Sequence, residues 1–160
     1  MMRLLRLGAV AGLLLGSTGC GDGGRVSEAD YLEAVDEFTD CLADHDVQVI
    51  NHGWDPVNRL SVSFSYAAEN GEPSQQGLAC EEKHLTPVSM AYADQATAVM
   101  AEDLRAYVRV CLAGRQVAVP AKVTGLAGFV AAAGEEAASS CVSAGLATLY
   151  PDSPAVLGSR

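Results

Sequence analysis

Five cysteines stand in this chain of 160 residues, at positions 20, 41, 80, 111 and 141, and their placement constrains the fold more than any other feature. Four of them follow an internal repeat. Cys41-Leu42-Ala43 leads into Val47-Gln48-Val49, and seventy residues later Cys111-Leu112-Ala113 leads into Val117-Ala118-Val119 in the same register. Each copy has one further cysteine downstream, Cys80 after 39 residues and Cys141 after 30. Cys20 lies outside this arrangement and needs its own explanation.

That explanation lies in the first twenty residues, which have the organisation of a sorting signal. Arg3 and Arg6 form a positive start, and Leu4, Leu5 and the run from Leu7 to Leu15 form an apolar stretch. The stretch is too short to span the ~30 Å hydrocarbon core of a bilayer as a helix. Ser17-Thr18-Gly19-Cys20 follows. Small residues directly before a cysteine resemble the lipobox of bacterial lipoprotein precursors, with Ser17 where leucine is commonest. The resemblance implies that Cys20 becomes the diacylglyceryl-modified mature N-terminus, on the outer face of the cytoplasmic membrane. The alternative is ordinary secretion with Cys20 as an unpaired thiol. Gly21-Asp22-Gly23-Gly24 then reads as a flexible tether.

With Cys20 assigned to lipid, Cys41, Cys80, Cys111 and Cys141 form an even set, which in an exported chain reads as two disulfides with three possible connectivities. The repeat favours Cys41–Cys80 and Cys111–Cys141, each sealing its own half. In the chain-entropy model such loops contribute ~3.5–4 kcal/mol apiece.

Local patterns give an α+β fold. Ser27 with Asp30 resembles a capping box and opens a helix to about Ala43, with Tyr31, Ala34, Val35, Phe38, Cys41 and Leu42 along one stripe. Glu33, Glu37, Asp40 and Asp44 lie opposite. Val47 to Ile50 reads as a short strand, and Leu60, Val62, Phe64 and Tyr66 alternate with serines as a second, so residues 51–59 close a hairpin. Glu69-Asn70-Gly71-Glu72-Pro73 is a breaker, before a short helix from Ser74 to about His84. From near Pro87 the pattern predicts one long helix over Ser89–Ala113, ended by a left-handed Gly114, then an extended Gln116–Pro120. Thr124 is the expected cap of a helix reaching Ala133, and a last helix is expected over Glu135–Ala144. The resulting organisation is a signal over 1–19, a lipidated tether over 20–26, a first half over 27–86, a second half over 87–150, and a tail over 151–160.

Taken whole, the chain resembles the small cysteine-paired lipoproteins of high-GC Gram-positive bacteria. The residues behind this are Cys20 after its signal, Phe38-Thr39-Asp40-Cys41-Leu42 leading into Val47 and Val49, and Val110-Cys111-Leu112 leading into Val117 to Pro120. The resemblance implies a cell-surface lipoprotein and brings no activity with it.

Charge and motifs narrow the function by exclusion. Twenty acidic against ten basic residues give a net charge of -10, which becomes -12 once Arg3 and Arg6 leave with the signal. Such a chain is unsuited to nucleic acid, whose phosphates need clustered Lys and Arg. Nine acids lie between Asp22 and Asp46 with Arg25 as the one base, so anionic head groups repel this segment and the lipid has to supply membrane attachment. Asp40, Asp44, His45, Asp46 and His52 are of metal-ligating types, but neighbours along a helix do not share a face, so no metal and no cofactor are expected. No serine lies in Gly-x-Ser-x-Gly, and the adjacent pairs Glu81-Glu82 and Glu135-Glu136 do not face each other as a glycosidase requires. Gly125-Leu126-Ala127-Gly128 lacks the lysine and the strand of a phosphate loop.

A binding role has one candidate. Trp54, the single tryptophan, lies in Asn51-His52-Gly53-Trp54-Asp55-Pro56, where Trp54, His52 and Asp55 could stack on a sugar or anchor a partner. The alternative is that Trp54 folds back to plug the open end of the hairpin. The expected function is a lipid-anchored, non-enzymatic surface binding module for an envelope protein or glycan. The alternatives are a structural accessory protein without small ligand, then a wall-directed hydrolase.

Overall fold

The computed structural model describes residues 24–66 and 74–153. The signal, Cys20 and the breaker at 69–73 lie outside the described residues. Helix α1 (Glu28–Asp44) begins on the expected capping box: Ser27 Oγ accepts from the Asp30 N–H, and the Asp30 carboxylate accepts from the Ser27 N–H. Its stripe buries Tyr31, Ala34, Val35, Phe38 and Leu42. Each of the larger side chains withdrawn from water contributes roughly 1.5–3 kcal/mol.

Strands β1 (Val49–Trp54) and β2 (Val62–Tyr66) pair antiparallel. β1 runs four residues further than the alternation predicts, because a bulge at His52 absorbs the irregular Asn51-His52-Gly53. Gly53 takes φ +79° there, and the Asn51 side chain accepts from its N–H. Val62, Phe64 and Tyr66 face α1, with Phe64 edge-on to Phe38 at 5.4 Å and the Val62 N–H donating to the Tyr31 hydroxyl oxygen.

After β2, α2 (Gln75–Cys80) continues through a π-helical turn over Glu81–Leu85 into α3 (Thr86–Gln95). Pro87 therefore does not divide the halves. The Thr86 N–H reaches the Glu81 carbonyl five residues back, and this widened turn carries the chain past a proline that cannot donate and would crowd the carbonyl four residues before it. Val88, Tyr92 and Ala96 pack on the first core, so that half extends to about residue 96.

The long helix expected over Ser89–Ala113 is broken by an extended segment, Ala96–Ala101, before α4 (Glu102–Gly114). The cause is tertiary. Three consecutive N–H groups leave the helical pattern for loop carbonyls: Val99 to Asn58, Met100 to Thr124 and Ala101 to Pro56, at 2.8–2.9 Å. α5 (Leu126–Ala133) is capped by Gly125 rather than by Thr124, whose carbonyl is engaged with Met100. Gly134, at φ +82°, turns the chain into α6 (Glu135–Leu149), which runs five residues beyond the expected end.

Two disulfides close the halves, Cys41–Cys80 and Cys111–Cys141, each with a Cα separation of 5.8 Å. The repeat extends into the backbone. In both copies the helix ends on the same pair of bonds, Val47 N–H to Leu42 O and Val117 N–H to Leu112 O. The left-handed residue is Asp46 in one and Gln116 in the other. Gly114 is therefore an ordinary helical residue, and the left-handed position falls two residues later. Val57, at the tip of the hairpin loop, inserts into the second core beside Met100, Leu104, Val108, Leu112, Phe129 and Leu146.

Candidate functional site

Trp54 occupies the last position of β1 and not an open loop. Its ring lies 5.3 Å from Tyr31 and 5.9 Å from Tyr92, and these two tyrosines stack on each other at 4.9 Å. The Arg59 guanidinium sits 5.6 Å from its centroid. Such a cation–π contact contributes ~0.5–1 kcal/mol at a partly exposed site. Trp54 is thus half-buried in an aromatic stack that closes the end of the hairpin, with the Arg59 guanidinium over its ring.

His52 and Asp55 do not join it. His52 Nε2 is hydrogen-bonded to Ser65 Oγ at 2.7 Å across the hairpin. The Asp55 carboxylate accepts from the Val57 N–H and holds the turn that aims Val57 into the second core. Close in sequence, the three residues are directed to three separate tasks.

Arg59 also lies near Tyr150, whose hydroxyl donates to the Asp103 carboxylate. Burial and this acceptor push the Tyr150 phenol up to about 12. Burial likewise raises Tyr31, Tyr92 and Tyr66, the last helped by the nearby Glu81 carboxylate. None of these shifts moves a proton towards neutral pH, where acid–base chemistry would use it.

A different grouping comes together along the seam between α1 and the π-helical turn. Glu37, Cys41 and His45 recur every four residues on α1, and Cys80 and His84 do so opposite. His84 Nδ1 meets Glu37 Oε2 at 3.1 Å, and the disulfide lies one turn further along. His45 closes α1. Its imidazole and the sulfurs of Cys41 and Cys80 fall within 4.8 Å of one another. The sequence pattern hides this group, because it takes His45 with the neighbouring aspartates and counts both cysteines only as staples. The aspartates it names stay apart: Asp40, Asp44 and Asp46 are exposed on the outer side of the helix end.

Arg109 is a second residue without a sequence signal. Its guanidinium donates to the carbonyls of Val119, Pro120, Ala121 and Val123, at 2.6–3.2 Å, and lies 5.5 Å from the Phe129 centroid. In the second half this one side chain holds the segment that a hairpin replaces in the first. A hollow of about 360 Å³ at the start of α6 is lined by Arg115, Gly134, Glu135, Glu136 and Ser140. Its own carboxylates already stand at the positive end of the helix.

No family model, no curated protein and no solved structure matches the chain.

Proposed function

We propose that this chain is an extracytoplasmic lipoprotein, tethered by lipid on Cys20, whose stapled halves form a non-enzymatic module presented to an envelope protein or glycan. The observation that carries the reading is the pair of local disulfides, Cys41–Cys80 and Cys111–Cys141. Two such bonds in one small chain point to an oxidising compartment. Among the described residues no helix is long and apolar enough to cross a membrane. Attachment would then rest on Cys20, and the acidic face of Glu33, Glu37, Asp40 and Asp44, all exposed, would be turned away from anionic lipid.

One observation favours the accessory reading, without small ligand, as a second possibility: Trp54 commits its ring to Tyr31, Tyr92 and Arg59. Since Trp54 is the only tryptophan, intrinsic fluorescence separates the two directly. A glycan stacking on it shifts the emission, whereas an unchanged spectrum across wall oligosaccharides favours the accessory role. The tether is tested by Cys20→Ser. The variant should leave the membrane fraction for the medium, and full retention on membranes would refute lipid anchoring.

A further inference from the structure

We propose that the first staple, when reduced, is a zinc site made of the Cys41 and Cys80 thiolates and the His45 imidazole. The inference is independent of the lipid tether. His45 follows Cys41 by one helical turn, so the two share a face, and Cys80 meets them from the opposing helix. All three donor atoms lie within 4.8 Å of one another. Bonds of ~2.3 Å to sulfur and ~2.0–2.1 Å to nitrogen require donors spaced about 3.5–3.8 Å apart. Once the disulfide is opened, small rotations of Cys41 and Cys80 bring the sulfurs to that spacing. Cys80 is buried, but Cys41 is partly exposed and His45 exposed, so reductant and metal approach from the Cys41 and His45 side.

The second copy of the repeat supplies the contrast. Its staple has the same Cα separation, and the residue at the place of His45 is Arg115, which donates to Ser140 Oγ. A guanidinium keeps its proton and cannot ligate. Among the described residues, only the first of the two staples has a third ligand beside it.

The chemistry balances as follows. A dithiol reductant gives two electrons and two protons to the Cys41–Cys80 bond and becomes a disulfide itself. Zn²⁺ then displaces the two thiol protons, neutral His45 donates a lone pair, and water fills the fourth position. The metal form would therefore belong to the chain before its first staple is oxidised, or after a dithiol reductant reopens it, and the covalent staple to the oxidising compartment.

The test uses the mature chain with Cys20→Ser, fully reduced, and Co²⁺ as a spectroscopic stand-in for Zn²⁺. One cobalt per chain with a thiolate charge-transfer band is expected. His45→Arg should weaken binding by about tenfold or more, and Arg115 shows that the fold accepts arginine at this helix end. Replacing Cys111 and Cys141 together by serine should leave the spectrum unchanged. As a second measurement, stoichiometric Zn²⁺ should shield Cys41 and Cys80 from alkylation and leave Cys111 and Cys141 reactive. Absence of cobalt binding, indifference to His45→Arg, or equal shielding of both pairs would each overturn the proposal.

Discussion

Alanine should destabilise this protein at Gly145 and stabilise it at Gly114, although both glycines are helical. An isolated helix gains ~1 kcal/mol from this exchange through reduced backbone entropy. At Gly145, inside α6, the new methyl carbon would stand 2.6 Å from Leu104 Cδ1 and 2.9 Å from Tyr107 Cδ1. Leu104 is wholly buried in the second core and cannot swing away without displacing its neighbours. Overpacking of this kind costs ~1–3 kcal/mol, which cancels the propensity gain at the least and leaves a net loss of up to about 2 kcal/mol. At Gly114, the last residue of α4, an added methyl meets nothing within 4 Å and φ is ordinary. Half of the propensity gain or more, roughly 0.5–1 kcal/mol, should survive there. Urea denaturation of both variants, followed by helical circular dichroism and Trp54 fluorescence, gives the two signs. If Gly145→Ala gains stability as Gly114→Ala does, the close approach of α4 and α6 does not limit the packing, and the reasoning fails. The repeat adds a reason for the glycine. One turn from the staple the first half places the pair Glu37 and His84, and at the corresponding place the second half sets Tyr107 against Gly145.

Two further outcomes follow from single side chains. Arg109→Ala should cost about 2 kcal/mol or more, because four carbonyls lose a charged donor. Arg109→Lys should recover only part of it, since an ammonium cannot span the same fan of acceptors, and full rescue by lysine in thermal melts would show that charge alone matters. Tyr150 governs the alkaline limb. Its phenol is raised from 10 to about 12, so it contributes stability that is complete below pH 10 and is lost as pH rises towards 12. Tyr150→Phe should make the decline in stability over that window shallower, as read by denaturation at a series of pH values, and an unchanged slope would refute the assignment. Tyr31, Tyr66 and Tyr92 shift in the same direction and keep the slope from vanishing.

What could be read from residues alone was whatever is decided locally or by repetition. α1 announces itself because Ser27, Asp30 and the apolar stripe act within a few residues of one another. The disulfide pairing was legible because the two Cys-Leu-Ala copies order the four cysteines into halves. β2 was legible because serines alternate with Val62, Phe64 and Tyr66. The break at Ala96 was not legible: Ala-Thr-Ala-Val-Met-Ala contains no helix-stopping residue, and partners far along the chain decide it. The same holds for Arg109, an arginine on a helix until the loop it grips is seen, and for Val57, whose burial depends on a core more than forty residues away. Trp54 was legible as a choice between exposure among its polar neighbours and folding back on the end of the hairpin, and Gly53 and the bulge turn it onto the tyrosines, the second of the two.

The hairpin loop has a consequence for how the molecule holds together. Each disulfide closes within its own half, so neither crosses the extended segment between Ala96 and Ala101. A single proteolytic cut there, before Val99, would leave two separately cross-linked pieces. Pro56, Val57 and Asn58 lie on the first piece, and the core and backbone donors they engage lie on the second. Complementation between the cut fragments therefore measures the grip of that loop as a dissociation constant, and the same constant sets whether the intact chain melts as one cooperative unit or as two.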